Sequence, residues 1–344
     1  MSQPRVSRLS RPTRQALVGL LALPLSLLPF WAYSQFTPQG GLLAAQVEVA
    51  VAPPRLPEYD AATLTDLRVQ APQWSGLAAV LVYHGMGASG EEQQWTISTE
   101  RFADQLATMK ASGMNPITAS ELAAARTGGE PLPDNAVLVT FDDGRTDAFL
   151  WADPLLEEAG WRASMFVITY QASRNTLYYQ DWDAMGELAG TGRWDIQSHG
   201  ADMHDEQEVG PDGTSLPVLT SLGPDESIQE YESRVRTDMA SSSAAITDSL
   251  GSVPTAYAYP FGAYGKDRTN HAGLQPIVAD AVGDEYTLGF VQDDQESVPL
   301  TGCSGDPLLV RRLDIGDWSG GELMDRLTEM ADERASRRAT PCPS

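Results

Sequence analysis

The sequence predicts an α/β fold built on a parallel sheet, and three observations predict it. Between about residues 76 and 336, apolar runs of strand length alternate with stretches of helical period. The clearest run, Ala136–Phe141, is apolar at every position but Thr140, the pattern of a strand buried on both faces. It stops at Asp142-Asp143-Gly144, and in parallel α/β sheets the loops beyond the C-terminal strand ends carry the chemistry.

The elements follow in chain order. Arg5, Arg8, Arg11 and Arg14 precede an apolar stretch over residues 16–33, interrupted by Pro24, Ser26 and Pro29. Residues 1–34 therefore read as an export segment. A signal peptide cleaved near Ala32-Tyr33-Ser34 and a retained membrane anchor both fit, since roughly 18 apolar residues just suffice to span a bilayer. Residues 35–75 lack a clear period, and Ala52-Pro53-Pro54-Arg55-Leu56-Pro57 reads as an extended linker. Residues 76–336 form one domain by length, with 337–344 as a tail.

Within that domain the expected strands are Ala78–Tyr83, Ala136–Phe141, Ser164–Ile168, Asp195–Ser198, Ala256–Tyr259, Leu288–Val291 and Leu308–Leu313. Helices are expected at Thr99–Ser112, Asp153–Ala159, Trp182–Ala189, Pro224–Leu250 and Gly321–Ala335. Thr99 and Asp153 resemble helix starts, and Gly113 and Gly160 resemble stops. Asp205–Pro224 is polar and rich in Gly and Pro, a surface insertion or a loop over the substrate.

Two adjacent carboxylates at a strand end repel each other unless something positive neutralises them, and a metal ion is one candidate. A plain turn is the other, because Asp-Gly is a common turn pair and Asp a common helix cap. The histidines favour the metal. The chain has four, His84, His199, His204 and His271, and two fall together in Ser198-His199-Gly200-Ala201-Asp202-Met203-His204 after a short apolar run. Asp143, His199 and His204 make a two-histidine, one-carboxylate set. It suits Zn²⁺, and also Co²⁺, Ni²⁺ or Fe²⁺.

Thr140-Phe141-Asp142-Asp143-Gly144, followed by Ser198-His199 and His204, resembles the polysaccharide deacetylases, also called the NodB-homology domain or carbohydrate esterase family 4. The resemblance implies an incomplete (β/α)7 barrel, metal held by Asp143, His199 and His204, and Asp142 as general base. The nearest branch removes N-acetyl groups from exported poly-N-acetylglucosamine. In that branch a Tyr-His pair after the first strand supplies the general acid, here Tyr83-His84. Tyr259-Pro260-Phe261-Gly262 resembles the family's groove-lining motif, which offers a backbone amide to the oxyanion; alone it reads equally as a rigid turn. Many members carry an arginine two residues before that proline to orient the base. Ala258 stands there, which leaves Arg311 or Arg312 as replacement. Leu313-Asp314-Ile315-Gly316-Asp317-Trp318 loosely matches a motif around the acetyl pocket, with Trp318 either a pocket wall or a packing residue. His271 matches nothing and reads as a surface residue.

The formal net charge is −24, and −28 without the four leading arginines, with no basic stripe, which excludes a nucleic-acid partner. The acidic surface suits a polymer that becomes cationic as acetyl groups leave, or serves solubility alone. Two cysteines in an exported chain, Cys303 and Cys342, suggest one disulfide. The expected function is N-deacetylation of an extracytoplasmic amino-sugar polymer. An O-deacetylase or a peptidoglycan or chitin deacetylase with the same site, and a non-catalytic carbohydrate-binding relative, are the alternatives.

Overall fold

A computed structural model describes residues 38–88, 95–174, 176–210, 213–292, 298–332 and 339–342. Helix α1 (Pro38–Val51) belongs to a separate unit, residues 1–52, and everything after it belongs to a second unit, residues 53–344. The apolar stretch at 16–33 lies outside the described residues. No described helix is long and apolar enough to cross a membrane.

Residues 35–75 depart from the expected extended linker. Besides α1, they form α2 (Ala61–Gln70), whose N-cap Asp60 accepts the Thr63 N–H. Residues 53–60 before α2, part of the second unit, are extended but fastened to its helices. The Tyr59 hydroxyl donates to Asp104 Oδ1 at 3.0 Å, and the Leu56 N–H donates to Glu158. The sequence showed no period here because α2 buries no residue, so it has no apolar stripe.

The domain then alternates strand and helix. β1 (Ala78–Tyr83) is buried at all six positions. Beyond it come β2 (Gly85–Gly87), β3 (Thr96–Ser98) and α3 (Thr99–Ala111), with Ser98 capping α3. β4 (Asn115–Ile117) and α4 (Ala119–Arg126) follow, the helix opened by a Thr118–Glu121 capping box. Next are β5 (Ala136–Phe141), α5 (Thr146–Ala159), β6 (Ala163–Val167) and the single turn α6 (Thr169–Ala172). α7 (Trp182–Gly190) leads into β7 (Trp194–Ser198), then a hairpin of β8 (Glu206–Glu208) and β9 (Ser215–Pro217). The last elements are α8 (Ile228–Leu250), β10 (Ala256–Ala258), α9 (Leu274–Glu285), β11 (Leu288–Gln292), β12 (Val310–Asp314) and α10 (Gly320–Asp332).

Seven strands, β1, β5, β6, β7, β10, β11 and β12, close a parallel ring, because β1 pairs with both β5 and β12. The ring falls short only of the eighth strand of the full barrel. β1 takes one whole edge of β5. The other edge is shared: β4 pairs with its first half and β6 with its last two residues.

Strand alternation sorts the side chains between two layers. Ala78, Val80, Leu138, Phe166, Ala256, Leu288, Phe290 and Val310 fill the ring, and Ala119, Leu122 and Ala123 of α4 join that cluster at its lower end. Tyr83 and Phe141 face outward, where they pack on Phe102 of α3 and on Trp194. The same alternation carries upward: Asp142 continues the inward row of Leu138 and Thr140, and Arg312 and Asp314 continue that of Val310.

One helix begins well before its expected start. Asp153-Pro154 reads as cap and first residue, yet α5 runs from Thr146 with Pro154 inside it. Its buried face, from Ala148 to Leu156, outweighs the hydrogen bond that the proline cannot make. Asp153 instead accepts Arg193 and the Trp194 indole.

Cys303 and Cys342 are joined, with Cα atoms 4.8 Å apart, and tie the tail beside the start of β1, where the Cys342 N–H bonds the Gly76 carbonyl. The bridge closes a loop of 39 residues, for which chain entropy allows about 4 kcal/mol. Replacing both cysteines by alanine should lower unfolding stability by up to that amount, measured by denaturant titration, with barrel circular dichroism retained.

Candidate active site

The site forms where the inward rows of the barrel reach its C-terminal mouth. Asp142 and Asp143 adjoin in sequence but diverge in space, because Asp143 (φ 74°) and Gly144 (φ 77°) both turn left-handed at the end of β5. Asp142 stays in the interior, 1% exposed, while Asp143 is turned toward the loop that follows β7.

That loop holds both histidines. His199 is buried, and its Nδ1 lies 2.8 Å from the Ala258 carbonyl. A carbonyl only accepts, so Nδ1 carries the proton and Nε2 presents a lone pair to the site. His199 Nε2 lies 3.7 Å from Asp143 Oδ1, and His204 Nε2 lies 3.4 Å from the same oxygen. One ligand atom from each residue falls within 4.8 Å of the other two. Asp143 Oδ1 is buried without a hydrogen-bond partner. A buried, unsatisfied carboxylate oxygen facing two imidazole nitrogens is a donor set that fits a divalent cation.

The loop is pinned from behind. Asp238 of α8, itself buried, accepts the Ala201 N–H at 2.9 Å and the Asp202 N–H at 2.8 Å. Gly200 is left-handed, and a Cβ there would meet Asp238 and the Tyr257 hydroxyl at 3.1 and 3.3 Å.

Asp142 is clamped by Arg312, whose two terminal nitrogens each lie 2.7 Å from one carboxylate oxygen. Of the two arginines that the sequence offers, Arg312 takes this place. Burial by itself would push the Asp142 carboxyl up. The Arg312 guanidinium, with smaller help from His199 and His84, reverses this and holds it below the usual carboxylate range. His199 goes the other way: burial pushes its imidazole down to about 4, against the attraction of Asp142.

His84 leaves the end of β1 on the same face but is not among the grouped ligands. It lines a cavity of about 170 Å³ with Trp95, Ile97, Asp314, Gly316 and Asp317. Asp314, raised by burial and lowered by the nearby His84, faces it and accepts a hydrogen bond from Gln292. His84 therefore has a carboxylate on its side of the mouth, as Asp142 has a guanidinium on the other.

The expected substrate residues separate. Tyr259 is 1% exposed, packs among Tyr257 and Tyr264, and spends its backbone N–H on Phe290; Pro260 is buried too. Tyr259 follows Tyr257 in the outward row of β10, while Phe261 stands in a left-handed turn (φ 57°) beyond it. Phe261 is exposed, with its ring 4.6 Å from that of His204. Trp318 lies under Arg326, against Gly316, as a packing residue of α10; the cavity wall comes from Ile315, Gly316 and Asp317. The hairpin β8–β9 is tied to the loop after β10 by the Arg268–Glu206 ion pair, and the same loop makes two bonds from Asn270 to Leu222, beyond the hairpin. His271 is exposed and accepts the Gly273 N–H.

Sequence reasoning missed Asp238 and Gln292 and did not single out Asp314. A signal existed for Arg312 and Asp314. A charged residue on the inward face of a buried strand needs a partner, which marks Arg312, and Asp314 follows on the same face at the open mouth.

A parallel barrel with carboxylates, imidazoles and a clamped acid at its C-terminal mouth has the makings of a hydrolase of the (β/α) type. The profile of the polysaccharide deacetylases matches residues 129–277, which include Asp142, Asp143, His199, His204 and Phe261. The chain is 23% identical over 207 residues to the poly-β-1,6-N-acetyl-D-glucosamine N-deacetylase of Escherichia coli K12, covering 55% of this chain and 31% of that protein. The Staphylococcus aureus enzyme of the same name is 22% identical over 215 residues, covering 62% of this chain and 66% of its own. The chain thus spans about a third of the first relative and two thirds of the second. Among solved structures, a de-N-acetylase from Aggregatibacter actinomycetemcomitans superposes with a TM-score of 0.61 at 23% identity, over 72% of this chain and 99% of that one. Residues 129–277 of this chain thus carry the polysaccharide deacetylase domain.

Two outcomes follow from the electrostatics. Arg312→Met leaves Asp142 buried and unpaired and should cost about 3–5 kcal/mol of stability; adding Asp142→Asn should recover much of it. Second, the unfolded chain takes a proton near pH 6.5 that folded His199 refuses until about pH 4. Metal-free protein should therefore lose up to about 3 kcal/mol as pH falls through that window. Urea titrations of chelator-treated protein at several pH values test this, and His199→Gln should abolish that part of the slope.

Proposed function

We propose that this chain is a metal-dependent hydrolase that removes N-acetyl groups from an extracytoplasmic amino-sugar polymer of the poly-N-acetylglucosamine kind. One observation carries the reading. At one mouth of the barrel, the Asp143–His199–His204 group lies beside an ionised Asp142 held by Arg312, and His84 lines the same mouth. The names of the curated relatives supply the substrate class.

Asp143, His199 and His204 would hold the cation, Zn²⁺ by preference, with Co²⁺, Ni²⁺ or Fe²⁺ as alternatives. Bound there, it supplies Lewis acidity toward a water molecule and a carbonyl oxygen. Asp142 accepts the proton of the attacking water as general base. The Arg312 clamp keeps it ionised and fixes the direction of its lone pairs. An amide nitrogen leaves poorly as an anion, so it must gain a proton as the C–N bond breaks. His84 donates that proton, and Asp314 lines the same cavity beside it. The products are acetate and a free amine on the sugar. The Phe261 segment borders the group through His204.

An extracytoplasmic site of action is supported by the arginine-flanked apolar stretch at 16–33 and by the Cys303–Cys342 bridge, which persists in oxidising compartments. The chain would be secreted or held on the outer face of the cytoplasmic membrane through that stretch.

Acetate release from N-acetylglucosamine oligomers, together with metal content, tests the assignment. His84→Ala should lower amide turnover by roughly 10²–10⁴-fold with metal content nearly unchanged. Hydrolysis of an activated acetyl ester, whose leaving group needs no proton, should fall much less. Equal losses on both substrates, or loss of metal, would remove His84 from the role.

A further inference from the structure

Four aromatic residues are exposed among the described residues: Trp95, Tyr170, Tyr178 and Phe261. All lie in connections that leave the C-terminal ends of ring strands, namely those after β1, β6 and β10. The other exposed large hydrophobic residues of the second unit are aliphatic: Leu177 beside Tyr178, Val69 on α2 and Val253 in the loop before β10. Exposed apolar surface gathered at one mouth marks a contact surface rather than chance.

Two of these residues are built into place. The segment 178–180 runs antiparallel to Gly144–Thr146, immediately after Asp143. The Thr146 N–H bonds the Tyr178 carbonyl at 2.9 Å, and the Gln180 N–H bonds the Gly144 carbonyl at 3.0 Å. Arg145, 8% exposed, lies between the two connections. It pairs with Asp147, reaches Thr96 Oγ1 at 3.5 Å, and places its guanidinium 5.1 Å from the centre of the Tyr178 ring. Gly85 admits that guanidinium, since a Cβ there would lie 2.2 Å from it. Trp95 adjoins Thr96, lies 5.2 Å from His84 between ring centres, and is 54% exposed. Its backbone is left-handed (φ 60°), which a bulky residue rarely adopts. The fold thus holds a tryptophan in an unfavourable conformation with its side chain largely in water, and burial does not repay that. Tyr178 remains 48% exposed although the guanidinium covers part of its ring.

We propose that Trp95 and Tyr178 form a stacking platform for the sugar units adjacent to the one deacetylated, positioned by Arg145, so that the site recognises a polymer segment. The proposal rests on the functional reading above. A hexopyranose presents a face of C–H groups, and a flat aromatic side chain offers matching apolar area at low conformational cost. An acetyl group at the metal group fixes one sugar only. Platforms in the connections after β1 and β6 extend the contact to its neighbours.

The test is binding of β-1,6-linked N-acetylglucosamine oligomers of one, two, four and six units to the metal-loaded full chain, by calorimetry, with acetate release measured in parallel. Affinity should rise with length. Trp95→Ala and Tyr178→Ala should each weaken hexamer binding about three- to tenfold and flatten the length dependence, whereas Tyr178→Phe, which keeps the ring, should stay within about twofold of wild type. Arg145→Met should reproduce the Tyr178→Ala loss. Equal affinity for all lengths in the wild type, or unchanged hexamer binding in both alanine variants, overturns the platform. Length-dependent binding without acetate release upholds the platform and refutes the deacetylase reading. Acetate release without length dependence does the reverse.

Discussion

A carboxylate enclosed in a barrel cannot stay ionised without a partner, and here the partner is Arg312. The pair has almost no exposure on either side, so each charge depends on the other. Arg312 stands on β12 and Asp142 at the end of β5, with β1 between them in the ring. The contact therefore crosses the barrel interior, beside Thr140 Oγ1 and over the Phe166 ring. A seven-stranded ring is narrow enough for one arginine to span it. The clamp thus depends on ring closure, and the closure brings Asp142 within reach of His199, 3.9 Å away.

The division of labour between the two aspartates has the same root. Strand alternation delivers Asp142 inward to the guanidinium. The left-handed turn then takes Asp143 off the strand and gives it to the histidines. Left-handed backbone at a non-glycine residue is unfavourable, and Gly144 after it lets the chain continue without a second penalty. Two like charges in adjacent residues are tolerable because they are solvated differently: one by arginine, the other in a site shaped for a cation.

Much of this was legible beforehand. Strand positions were, because buried parallel strands such as Ala78–Tyr83 and Ala136–Phe141 are continuous apolar runs that local pattern exposes. The order of Asp142, Asp143, His199 and His204 could be read because they follow such runs directly. Less could be read where structure depends on distant contacts. α2 buries nothing and is held by its cap, so it left no stripe; α4 is short and alanine-rich, and only its capping box announced it. Tyr259 looked like a groove residue because its motif is local. Which way it points is decided by the alternation of β10, which sends Ala256 and Ala258 into the ring and Tyr257 and Tyr259 to the outer cluster. Asp238 had no local signal: a carboxylate in the middle of an amphipathic helix reads as surface until Ala201 and Asp202 come against it.

Those distant contacts also explain how the ligand atoms of the site are positioned. The Asp143 oxygen is buried and unsatisfied, and the neutral His199 ring is fixed only from its far nitrogen. Each is unfavourable in isolation, since an unpaired buried acceptor costs about 1–3 kcal/mol. What holds them is behind them. Ala258 fixes the tautomer of His199, Asp238 fixes the loop through two amides, and Arg312 neutralises Asp142 so that the nearby charge does not drive Asp143 away. The ligand atoms are therefore held by contacts from the surrounding barrel. A cation held there would satisfy the Asp143 oxygen, which has no hydrogen-bond partner.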